Sequence, residues 1–193
     1  MNRVLVLYVS VLAIALVALA GCIPVMVVGA AGSAAMVMTD RRSAGAQLDD
    51  ETIELKVTTQ ANSEFGNRIH LNVTSYNGFV LLSGEVPDQG ALASVGNIAR
   101  KTEKVRGVHN ELVVALLSDF SSRSNDTYIT SKVKTRMLEA NKFPPNVVKV
   151  VTERGVVYLM GIVSKEEGDA AAEIAATTAG VVRVVKFFQY PTT

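Results

Sequence analysis

Hydrophobic and polar residues alternate in two short stretches of the chain, and each stretch is followed, across a turn, by a second apolar run. In the first, Ile69-His-Leu-Asn-Val-Thr leads to Asn77-Gly78 and then to Phe79-Val-Leu-Leu-Ser-Gly-Glu-Val86. In the second, Val148-Lys-Val150 leads to Arg154-Gly155 and then to Val156-Val-Tyr-Leu-Met-Gly-Ile-Val163. Period-two patterning around a residue-Gly turn predicts a β-hairpin in each. Upstream, Ile53, Val57 and Ala61 recur as Ile129, Val133 and Met137, spaced i, i+4, i+8, which is one face of an amphipathic helix. Asp49 and Asp50, and likewise Asn125 and Asp126, have the chemistry of N-caps for these two helices. Downstream, Ala-rich helices are expected over 91–101 and 166–177, followed by third strands over 108–116 and 181–188.

The two stretches are copies of one unit. Gly78 and Gly84 are six residues apart, as are Gly155 and Gly161. The first glycine of each pair supplies positive φ for the turn, and the second permits a bulge or close packing at the strand end. The interval to the third strand is four residues shorter in the second copy, about one helical turn, so its helix keeps its apolar face aimed at the sheet. The expected fold class is therefore α+β, with two tandem α-β-β-α-β domains over 47–116 and 124–191, each having two helices packed on a three-stranded sheet. A linker over 117–123 is too short for wide independent motion.

The amino end departs from this pattern. Arg3 is followed by an apolar run to Val17 and then by Ala18-Leu19-Ala20-Gly21-Cys22, the arrangement of a secretory signal peptide over 1–21. Leu19-Ala20-Gly21-Cys22 resembles the bacterial lipobox, which implies a diacylglycerol on Cys22 and cleavage before it. Pro24, Gly29 and Gly32 interrupt any single transmembrane helix through the apolar residues that follow. Ile23, where an Asp would signal retention, implies sorting to the outer membrane on its periplasmic side. The tether and connector span 22–46. Its stretch from Ile23 to Met38 is suited to the lipid interface or to close backbone packing, and 39–46 has the composition of a short solvated connector.

Composition narrows the function classes. Of 193 residues, 19 are Lys or Arg and 18 Asp or Glu, so the basic face that a nucleic-acid binder needs is missing. Two His and one Cys exclude a Cys/His zinc site and a disulfide framework. No metal site, no cofactor other than the covalent lipid on Cys22, and no catalytic residues are expected. His70 and His109 lack any surrounding motif and are expected at the surface. Asp49-Asp50-Glu51 and Glu166-Glu167 are explained by helix starts. The protein is expected not to be an enzyme.

The repeated unit resembles the BON domain, in which a Gly-x-Val-x-Leu-x-Gly hairpin follows a capped helix and precedes a Gly-Val strand. The matching residues are Gly78-Phe-Val80-Leu-Leu82-Ser-Gly84 and Gly155-Val-Val157-Tyr-Leu159-Met-Gly161. For a pair of BON domains behind a lipobox the resemblance implies an outer-membrane lipoprotein. Its second domain would bind anionic phospholipid, concentrate at the division site and support the permeability barrier. A family member carries Trp within Asn-Asp-Thr-x-Ile-Thr where this chain has Tyr128, which implies weaker membrane affinity.

The two copies of the first helix differ in a way that the shared fold does not require. Residues 49–62 carry a charge balance of −3, whereas 125–138 carry +2 through Lys132, Lys134 and Arg136 against Asp126. An anionic bilayer repels the first and attracts the second, at about 1 kcal/mol per basic residue near the surface. At 100° per residue, Tyr128, Ser131, Thr135 and Leu138 fall together opposite the apolar triad, flanked by Lys132 and Lys134. Such a stripe fits a helix whose side chains enter the headgroup layer. It also fits a contact between the two domains or an interface between copies of the chain. The corresponding functional alternatives are an anionic-membrane partner and a scaffold that docks an envelope assembly or cell-wall factor.

Overall fold

The computed structural model describes residues 40–191; the signal peptide, Cys22 and the apolar stretch to Met38 lie outside the described residues. Helix α1 (Ala44–Phe65) leads to strands β1 (His70–Tyr76) and β2 (Phe79–Val86), helix α2 (Gln89–Lys101) and strand β3 (Gly107–Val114). The order repeats as α3 (Phe120–Ala140), β4 (Val148–Glu153), β5 (Val156–Ile162), α4 (Lys165–Ala176) and β6 (Arg183–Gln189). Each sheet has its hairpin's second strand in the centre: β2 pairs antiparallel with β1 and parallel with β3, and β5 does the same with β4 and β6.

The hairpin turns follow from their residues. Asn77 and Gly78 have φ of 52° and 77°, and Arg154 and Gly155 have 51° and 73°. Two consecutive positive φ values match the right-handed strand twist, as in type I′ turns. Gly84 and Gly161 serve a different need, because a Cβ there would stand 2.1 Å from the carbonyl oxygen of His70 and 2.2 Å from that of Val147. Only a residue without a side chain lets the backbones approach so closely.

Both apolar triads face their own sheets. Ile53, Val57 and Ala61 pack with Val80, Leu82 and Val86, and Ile129, Val133 and Met137 pack with Val157 and Leu159. The long helices nevertheless begin earlier than expected. Their N-caps are Ser43 and Asp119, whose side chains accept from Ala46 N and Ser122 N. Residues 120–123, expected to be linker, form the first turn of α3.

Asp50 and Asp126 are therefore not caps of their helices. Their carboxylates point inward and hold the hairpin turns. Asp50 accepts from Asn77 N at 2.7 Å, Gly78 N at 2.8 Å and Ser75 Oγ at 2.6 Å. Asp126 accepts from Arg154 N and Gly155 N, both at 2.8 Å. Turn amides have no ladder partner, and a buried amide left unpaired costs about 1–3 kcal/mol. The recurrence of Asp in both copies thus fastens helix to hairpin.

Residues 40–42, expected in a solvated connector, are docked onto both domains. Arg41 grips Glu167 through Nη1 and Nη2, at 2.6 and 2.7 Å, and donates to Ile162 O. Arg42 donates to Asp50 at 2.8 Å, and its guanidinium lies 4.2 Å from the Tyr76 ring centre.

The face of each sheet turned away from its helices is not solvent-exposed. Tyr76 and Leu81 from the first sheet form one buried cluster with Tyr158 and Met160 from the second, flanked by Phe79, Val151, Val185 and Phe187. The two sheets pack face to face with the helices outside. His109, expected at the surface, lies between Phe79 and Phe187, with its ring centre 3.8 Å from that of Phe187 at 18°. Burial pushes its pKa down, with Glu111 opposing, which keeps the imidazole neutral in an apolar stack. His70 is also half-buried in this junction.

Two expectations check this account. Gly161→Ala should lower stability by about 2 kcal/mol or more in urea unfolding, because the clash is with backbone that cannot step aside; an unchanged midpoint contradicts the close approach. The second concerns pH. Burial alone raises the Asp50 carboxyl, but hydrogen bonds from Ser75, Gly78, Arg42 and Asn77 together outweigh it and hold it below its ordinary 3.8. That stabilisation is present above 3.8 and is lost as pH falls through the folded-state value. Asp50→Asn should therefore be less stable than the parent near neutrality, and the gap should narrow in acid.

Candidate functional site

The outer face of α3 is the surface on which the expected residues meet. Tyr128 is 62% exposed and Leu138 57%, while Ser131, Lys134 and Thr135 between them are also exposed. The early start of α3 brings onto the helix a residue expected in the linker. Phe120 is 81% exposed and lies eighteen residues, five helical turns, before Leu138, so both fall on one line along the helix. The signal for it was local: Asp119 precedes Ser122 by three residues, the spacing of an N-cap and the amide it receives.

The basic residues of α3 divide into two roles. Lys132, expected to flank the stripe as a free ammonium, instead donates to Ala179 O, and its Nζ sits 4.7 Å from the Tyr128 ring centre. Arg136 donates to Ile174 O at 3.0 Å, Thr178 Oγ1 at 2.7 Å and Thr177 Oγ1 at 3.1 Å. Arg136 thus joins the Ile174 carbonyl in the last turn of α4, and Lys132 the Ala179 carbonyl just beyond it, where the helix dipole also favours cations. Lys134 has no hydrogen bond or ion pair among the described residues and is the cation presented outward with the stripe.

Two shallow grooves flank the helix. One, of about 510 Å³, runs between Tyr128, Ser131 and Thr135 and the end of α4 at Thr177–Ala179. The other, of about 500 Å³, lies between Lys134, Thr135 and Leu138 and the residues Pro145, Lys149 and Arg42. The Ser131 hydroxyl donates back to Thr127 O at 3.0 Å, so its oxygen is not directed outward as a donor. The buried core shared by the two domains is formed by their sheets and includes none of the stripe residues.

The corresponding face of α1 is acidic and tied down. Asp49 pairs with Lys104 at 2.6 Å, and Lys56 lies 3.5 Å from Glu103. Leu55 is exposed there, but Thr52 replaces the aromatic of the second copy. A polyanionic surface therefore meets repulsion at one outer helix and attraction at the other.

A second cluster of polar groups is assembled where the sheets meet, and nothing in either hairpin alone announces it. His70 and Glu85, directly paired across β1 and β2, face Glu153 of β4. Burial raises the Glu153 carboxyl; Asn72 and His70 oppose that rise, whereas Glu85 and Asp126 add to it.

The model of the family described as "BON domain" matches residues 49–115 and 125–192. The outer membrane lipoprotein DolP of Haemophilus influenzae is 38% identical over 174 residues, covering 89% of this chain and 90% of that protein. The 21 kDa hemolysin of Actinobacillus pleuropneumoniae is 37% identical over 153 residues, covering 78% and 79%. Osmotically-inducible protein Y of Escherichia coli is 31% identical over 141 residues, covering 71% and 70%. The repeated α-β-β-α-β unit and these matches agree: the chain belongs to the BON-domain family, as a protein of two BON domains that resides at the outer membrane.

Proposed function

We propose that this lipoprotein lays the outer face of α3 on an anionic phospholipid surface and thereby supports envelope integrity, concentrating where such lipid is enriched, as at the division site. The observation that supports this most directly is the contrast between two helices in equivalent positions. One presents the aromatics Phe120 and Tyr128 with Leu138 and the unpaired Lys134, and the other presents Leu48 and Leu55 with acids and a Thr where Tyr128 stands, and no exposed aromatic. Aromatic and aliphatic side chains enter the headgroup layer while the ammonium meets phosphate. The Lys132 contact holds Tyr128 against the helix and adds positive charge beside it.

The acyl group on Cys22 makes weak contact sufficient. A permanently tethered domain samples the bilayer at high effective concentration, so each headgroup contact need contribute little. No step in this reading requires chemistry, which accords with a binding module and not an enzyme.

Co-sedimentation of the chain from residue 22, carrying Cys22→Ser to remove the anchor, tests this with phosphatidylglycerol or cardiolipin vesicles. Tyr128→Glu with Lys134→Glu should weaken binding by about ten-fold or more, leave the circular dichroism unchanged, and spare the α4 end that Lys132 and Arg136 hold. Retention of parental binding by that variant, or equal binding to neutral phosphatidylcholine, contradicts the assignment.

A further inference from the structure

We propose that the junction between the two BON domains holds a divalent transition-metal ion of the Zn²⁺ class, bound by His70, Glu85 and Glu153. One donor atom from each lies within 4.8 Å of the others. A tetrahedral shell at the Zn–N and Zn–O distances places donors about 3.4 Å apart, so a modest inward movement completes three positions. Zn²⁺ accepts imidazole and carboxylate together, whereas Mg²⁺ and Ca²⁺ take oxygen ligands.

The remaining contacts orient the donors. Glu153 Oε2 is held by Asn72 Nδ2 at 2.7 Å, and Glu85 Oε2 by Ser118 Oγ at 3.2 Å. Each carboxylate is thus held through Oε2 by a neutral donor, while Oε1 of each faces a charged or chargeable group. Arg154 Nη1 donates to Glu85 Oε1 at 3.4 Å in an ion pair, and a bound cation would take the place of this half-exposed guanidinium. His70 Nε2 stands 3.5 Å from Glu153 Oε1 without forming a hydrogen bond.

A buried imidazole nitrogen without a partner is an independent observation, since such groups are nearly always satisfied. A second lies one pleat away. The fully buried Ser83 hydroxyl, on the same face of β2 as Glu85 and cross-strand from Asn72, also has no partner. Access exists through a cleft of about 410 Å³ lined by His70, Asn72, Thr127 and Glu153.

The repeat argues against a purely structural origin for the cluster. Val147 and Ile162 occupy the second-copy positions of His70 and Glu85, so the fold itself requires neither ligand. The site exists only when the domains are packed, because Glu153 comes from one and the other two donors from its neighbour. A bound ion would therefore clamp the two sheets together.

The test uses the full mature lipoprotein in detergent, stripped with chelator and titrated with Zn²⁺ by calorimetry, with Mg²⁺ as control. One site per chain is expected, with a higher thermal midpoint and, on Co²⁺ substitution, visible absorption of a tetrahedral ion. His70→Gln and Glu85→Gln should each weaken Zn²⁺ binding at least ~10-fold, while His109→Gln binds as the parent does. In the parent protein the ring resonances of His70, and not those of His109, should shift with Zn²⁺, which keeps the question decidable where a variant misfolds. No saturable Zn²⁺ binding, binding unchanged by both substitutions, or unmoved His70 resonances would overturn the proposal.

Discussion

Burial of one sheet face against another governs what the rest of this molecule can present. Tyr76, Leu81, Tyr158 and Met160 lie on the side of each sheet that a lone BON unit would leave wet, and they close into a common core. Burying such side chains contributes about 1.5–3 kcal/mol each, whereas an exposed ion pair contributes about 0–1. Arg41, paired at the partly exposed Glu167, and Arg42, in a largely buried pair with Asp50, add to a junction that apolar packing sets. With both inner faces consumed, the helices are the surfaces left to meet a partner.

Duplication then supplies the division of labour. Both copies need the same inward triad and the same Asp-to-turn hydrogen bonds, so these recur. The outward positions are free to diverge. One helix keeps Asp49 and Lys56 in local ion pairs, and its twin carries Phe120, Tyr128 and Leu138 beside Lys134. Lys132 and Arg136 serve the end of α4, so the cationic character of α3 rests on fixed charges that remain near its surface without all being free to bind.

Much of the fold was legible in the sequence because its signals are local. Asn77-Gly78 and Arg154-Gly155 fix the turns, and the i, i+4, i+8 triads fix the inward helix faces. Asp50 and Asp126 have the look of caps, as an acid before an apolar periodic run does; the turn groups they hold lie 25 to 29 residues further on, from Ser75 to Gly78 and at Arg154 and Gly155. Alternation told correctly that His70 points away from the helices but not that a second sheet covers that side. The helical wheel gave the direction of Lys132, not the carbonyl it reaches. Phe120 lies where the composition turns polar, so periodicity alone does not assign it to the helix.

The shared core is the claim on which the outward presentation of α3 depends. Native-state hydrogen exchange of Leu81→Ala tests it most directly, since Leu81 belongs to the first domain and touches the second only through that core. The account predicts faster exchange for amides of β5 and β6 as well as for those of β1 to β3. Acceleration confined to the first domain would show that the sheets do not support each other.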